Sequence, residues 1–137
     1  MTATPIFPQT IKTGVAQIAP ADTTTLKTLV SASANGTRID NIFVSSTDSS
    51  AKDLQFVITI SAVDYVLGTL SVPANSGFNN AVPTLSVFAH SQFAALNTDQ
   101  NGNKHLFLAS GAVLKVKSLS TVTTAKVISV VAQCGDY

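Results

Sequence analysis

Apolar and polar residues alternate along this chain in short bursts, and clusters of turn-forming residues separate the bursts. The clearest burst spans residues 53–61. Leu54, Phe56, Ile58 and Ile60 fall on one face there, and Gln55, Val57, Thr59 and Ser61 on the other. A period of two is that of a strand with its two faces in different surroundings. Residues 65–72 carry a second strand, and the short Ala62-Val63-Asp64 connection predicts a hairpin. Weaker patterns predict strands over 13–18, which stops at Ala19-Pro20, and over 23–30. Asn35-Gly36 then marks a turn, because both residues tolerate positive φ. In 37–45, Ile39, Ile42, Phe43 and Val44 are too dense for strict alternation, which predicts a strand buried on both faces or carrying a bulge. Strands over 104–109, 112–119 and 124–133 complete the set, with Cys134-Gly135-Asp136-Tyr137 as a tail.

Two stretches break the pattern. Residues 1–12 contain Pro5 and Pro8 and little periodicity, and read as an extended N-terminal arm ahead of a domain over 13–137. Residues 73–83 are rich in Asn, Ser, Gly and Pro and read as loop, and 85–96 follow with a helix-like spacing of Leu85, Phe88, Phe93 and Leu96. That spacing predicts an irregular or one-turn helical insertion. About eight short strands with turns between them and no strand–helix alternation predict an all-β fold, an antiparallel two-sheet sandwich resembling a jelly roll.

Composition adds partners to this picture. Charged residues make up 11% of the 137, net charge is +1, and all seven acids are Asp. Ordinary soluble domains carry about 25% charge. Near-zero net charge favours association, and the cores of interfaces are depleted in charge. The lysines are dispersed and there is one arginine, Arg38, so nucleic acid is not an expected partner. The opening Met1-Thr2-Ala3-Thr4-Pro5 has neither the basic nor the apolar region of a signal peptide. No apolar run nears the roughly 18 residues of a membrane span, so no membrane is expected and synthesis in the cytoplasm is the default.

Candidate chemistry is sparse. His90 and His105, with one cysteine and no Glu, form no recognisable zinc set. No Gly-x-Ser-x-Gly elbow and no Gly-rich phosphate loop occurs. Cys134 lies near the C-terminus, a poor place for a rigid nucleophile. Asp99-x-Asn101-x-Asn103 matches the first three ligand positions of a calcium loop, but Gly102 stands at the fourth position and Ser110 at the twelfth, where Glu belongs. An Asx-rich turn accounts for the same residues. No cofactor, metal or enzymatic activity is expected. Phe43, Phe56 and Phe107 fall at core-like strand positions. Phe78, Phe88 and Phe93 fall in the long irregular region, where they either plug one sheet or dock on a partner.

Several segments carry a family resemblance. They are Gly36-Thr37-Arg38-Ile39, the run Phe93-Ala94-Ala95-Leu96-Asn97-Thr98-Asp99-Gln100-Asn101-Gly102-Asn103, Leu106-Phe107-Leu108-Ala109-Ser110-Gly111, Leu114-Lys115-Val116 and the closing Gly135-Asp136-Tyr137. Together they resemble the small virion proteins of tailed bacteriophages. The resemblance implies a jelly-roll-like cement protein on the outer capsid surface. Such a protein binds as a homodimer or homotrimer over junctions between major capsid subunits. On this reading Pro5, Ile6, Phe7 and Pro8 anchor the arm on a neighbouring subunit, and Phe78, Phe88 and Phe93 are further contact residues. The alternative is a tail- or fibre-associated sandwich that binds host-surface glycan. That function requires exposed aromatics beside a polar groove, and the chain has no Trp.

Overall fold

The structure, a computed structural model, describes residues 7–137. Nine strands are present among them: β1 (Thr10–Ile18), β2 (Lys27–Ser31), β3 (Thr37–Ser46), β4 (Lys52–Ile60), β5 (Val63–Val72), β6 (Leu85–Ser86), β7 (Leu106–Leu108), β8 (Val113–Ser118) and β9 (Ile128–Asp136). Two single 3-10 turns, Pro20–Asp22 and Ser91–Phe93, are the only helical pieces described. Among the described residues no helix is long and apolar enough to cross a membrane.

All pairings are antiparallel and form two sheets. One runs β1-β9-β3-β6, with β7 also on β3, and the other runs β2-β8-β4-β5. β7 pairs with the start of β3 and β6 with its end, so the two act as one interrupted strand. Counted that way, four strands face four. The chain crosses between sheets at every step except the β4–β5 hairpin, which is the double Greek key of a jelly roll. The all-β sandwich expected from alternation is therefore the fold.

Alternation builds the core. Ile128, Val130, Ala132 and Cys134 of β9 point inward with Ile39, Ile42 and Val44 of β3. They meet Leu54 and Phe56 of β4, Leu70 and Val72 of β5, and Leu114 and Val116 of β8. At one edge the sheets approach so closely that a Cβ on Gly14 would overlap the Leu29 carbonyl. The Lys12 ammonium also bonds the Ser31 carbonyl across that edge.

Several local expectations change. Thr10, Ile11 and Lys12 belong to β1 rather than to an arm, because each pairs with β9. Cys134 to Asp136 are not a tail, since β9 is gripped between β1 and β3 along its whole length. The hairpin turn is Ser61-Ala62, both at positive φ, and not Ala62 to Asp64. Over 85–96 there is no helix beyond one 3-10 turn, which His90 caps, its Nδ1 accepting from Gln92 N at 3.1 Å. In β3 a bulge between Ile39 and Asn41 sets the phase, so Ile42 and Val44 point inward and Phe43 lies half-buried on the outer face.

Candidate functional site

Two surface features stand out, an apolar hairpin face and a polar cleft. The hairpin forms where the β4 pattern outruns the core. Ile58 and Ile60 continue the inward face of Leu54 and Phe56, and the register places Tyr65 opposite Ile58 and Val63 opposite Ile60. Nothing covers the far end of that face among the described residues. Ile60 is 45%, Val63 50% and Tyr65 56% exposed. β5 is also the edge strand of its sheet. Edge strands with exposed apolar side chains and no lysine or proline are prone to pair or dock. Here residues 63–66 read Val-Asp-Tyr-Val, and the Asp64 carboxylate is already engaged by the Thr59 hydroxyl at 2.6 Å.

The expected contact residues divide. Pro5 and Ile6 lie outside the described residues. Phe7 is exposed, while Pro8 packs against Gly135, where a Cβ would meet its ring. Phe78 is exposed on its loop. Phe88 and Phe93 are buried and are therefore not available for docking on a partner. Phe93 stands edge-on to Phe56, with ring centroids 5.8 Å apart at 85°, and its tip reaches Gly68. The irregular segment thus plugs the sandwich.

The polar cleft lies where β6 and β7 leave a gap beside β3. It has a volume of about 830 Å³. Arg38, Asp40 and Asn41 come from the bulged stretch of β3 and Gln133 from the neighbouring β9, and the opposite wall is the loop carrying Asp99, Asn103 and Lys104. Bulges re-aim side chains, and here one directs a row of polar groups into the gap. Arg38 Nε donates to Asp40 Oδ1 at 2.9 Å. Asn41 Oδ1 accepts from its neighbour Ile42 N at 2.8 Å and from Ser86 Oγ at 3.1 Å. A backbone N–H can bond only the oxygen, so the Asn41 amide nitrogen faces away from these donors.

One end of the cleft is aromatic. Phe107 is 54% exposed, contrary to its core-like position in sequence. The His105 ring meets it edge-on at 4.7 Å, and the Tyr137 ring lies 6.4 Å away, tilted by 38°. Leu108 takes the inward place in the three-residue β7, which turns Phe107 outward. Three apolar residues in succession, Leu106-Phe107-Leu108, carry no alternation that would set the phase.

The Asp99 turn forms one rim. Asp99 Oδ1 accepts from Asn103 N at 2.9 Å and Asn101 N at 2.8 Å. The Asn103 N–H chiefly, with the Asn101 N–H, holds this carboxyl below its ordinary range against some desolvation. One oxygen of the calcium-loop pattern, Asp99 Oδ1, is thus engaged in an Asx turn. Among the described residues no group of three or more His, Cys, Asp or Glu side chains could hold a metal ion. Cys134 is buried, and burial pushes its thiol up, which favours the unreactive protonated form.

No protein-family model matches the chain, and no curated protein matches it in sequence.

Proposed function

We propose that this chain is a structural subunit of a tailed-phage particle. It decorates the head by binding over junctions between major capsid subunits, as a homodimer or homotrimer on the outer capsid surface. The observation that carries the reading is the apolar end of the β4–β5 hairpin, with Ile60, Val63 and Tyr65 uncovered on a chain of net charge +1. An uncovered apolar face held by a sandwich suits docking. The virion-protein resemblance of the sequence supplies the partner.

The test is co-sedimentation of purified protein with phage heads stripped of it. Val63→Asp combined with Tyr65→Ala should lower head affinity at least about 100-fold, as expected when hot-spot residues of an interface are removed. Both side chains are exposed, so the thermal transition should hold within about 2 °C. Unchanged head binding, or wild-type binding to tails alone, would sink the reading.

The arm is tested separately. Gln9 N donates to Asp136 O at 2.8 Å and Thr10 opens β1, so the deletion stops short of both and removes residues 2–6. That deletion should weaken head binding and leave the thermal transition in place, measured by calorimetry on the same preparations.

A further inference from the structure

We propose that the gap between β6 and β7 is a binding site for a neutral saccharide, with Phe107 under one sugar ring and Arg38, Asp40, Asn41 and Gln133 on its hydroxyls. The argument is independent of the head-decoration reading.

The shape comes from the topology. An uninterrupted strand in place of β6 and β7 would fill the β3 edge. Its interruption leaves a cleft of about 830 Å³, within the range of small-molecule sites.

The chemistry narrows the ligand. Arg38 and Lys104 on the walls are matched by Asp40 and Asp99, so the cleft presents no excess charge of either sign. Arg38 Nε is turned onto Asp40, whose carboxylate offsets its charge, and the Lys104 ammonium is directed at the Phe93 carbonyl at 3.3 Å. An apolar ligand would strand the polar rows of β3 and β9. What remains unused is a set of donors next to acceptors. Asp40 has a second carboxylate oxygen, Arg38 its terminal nitrogens, Asn41 its amide nitrogen and Gln133 its whole amide, none with a side-chain partner among the described residues. Adjacent hydroxyls of a sugar each both donate and accept, and so match neighbouring donors and acceptors. A charged partner strengthens such bonds. A sugar also has an apolar C–H face, and the exposed Phe107 ring, steadied by His105 and Tyr137, offers a flat surface to it.

The experiment uses the full chain on a printed array of neutral oligosaccharides and of sialylated or uronic-acid oligosaccharides, followed by calorimetric titration of the best binder. Neutral glycans should bind, and Phe107→Ala and Asp40→Ala should each weaken binding about tenfold or more. Both side chains are at least half exposed, so both variants should unfold near the wild-type temperature, and NMR shifts on titration should cluster around the cleft. The Val63→Asp/Tyr65→Ala protein should bind the glycan normally, which separates failure here from failure of head docking. Binding to no glycan, preference for the acidic ones, or affinity untouched by both cleft variants would overturn the proposal.

Discussion

Replacing Asp48 with Ala should lower stability by about 3 kcal/mol and the melting temperature by about 10 °C. Asp48 is fully buried where three loops meet at one end of the sandwich. Its Oδ1 accepts from Ser50 N at 2.9 Å, Ser50 Oγ at 3.0 Å and Thr123 Oγ1 at 2.8 Å, and its Oδ2 accepts from Thr123 N at 2.9 Å. Its carbonyl also accepts from Asn75 N at 2.9 Å. One side chain therefore fastens the β3–β4 loop to the β8–β9 loop, and its backbone holds the loop after β5. Alanine would leave the Ser50 and Thr123 N–H groups without their partner, and leaving such groups unsatisfied costs more than a bond's net worth.

The same carboxylate gives the protein a pH dependence. Burial alone would raise its pKa. The Thr123 and Ser50 N–H groups and hydroxyls together outweigh burial and hold it well below the ordinary carboxylate range. Below about pH 3.9 the unfolded chain takes up a proton that the folded state refuses. The stabilisation is thus complete above that pH and is lost as pH falls towards the depressed folded value. Asp48→Asn removes the titration but keeps the shape. Urea unfolding should show wild type well above Asp48→Asn at pH 7, with the gap narrowed by about 1 kcal/mol at pH 3. An equal gap at both pH values would show that the carboxylate charge contributes nothing.

The sequence makes Asp48 hard to find. It stands in a polar stretch, Ser-Thr-Asp-Ser-Ser, that looks like any solvated loop, and its key partner Thr123 lies 75 residues away. What local pattern does reveal is the strands, because alternation is enforced by one wet and one dry face. Leu54, Phe56, Ile58 and Ile60 do share a face, and Asn35-Gly36 does turn, with Gly36 at φ +95. Local pattern cannot tell where the opposing sheet ends, so it gives no sign that Ile60 is uncovered. Ser61-Ala62 lacks the glycine or asparagine that normally announces a tight hairpin, so the turn is displaced from where the residues suggest. The cleft is less legible still. It depends on β3 pairing with two separate short strands and on a bulge at Ile39/Asn41, both matters of long-range register. The helix-like spacing in 85–96 has a different origin. Its buried phenylalanines are anchors of an irregular segment, and their intervals are set by the surface they plug, not by a helical repeat.

That plug yields the second large effect. Phe93→Ala should cost about 3–4 kcal/mol, the usual result of emptying a buried aromatic site. A residue kept for partner docking would cost nothing measurable in the isolated chain, so this variant also decides between the two roles open to an apolar loop residue. Gly68 sharpens the test. It faces Phe56 across the β4–β5 register, and a Cβ there would stand 3.0 Å from Phe93 Cζ and 3.1 Å from Cε1. Alanine at Gly68 should therefore cost about 1–2 kcal/mol by overpacking. With Phe93 already cut back to alanine, the added methyl enters vacated space, and Gly68→Ala should become neutral or mildly stabilising. Denaturant unfolding of wild type, both single variants and the double variant should give a coupling of about 1–2 kcal/mol. Additivity within about 0.5 kcal/mol would mean that Phe93 and β5 do not meet in solution. The 85–96 segment would then not close the end of the sheet.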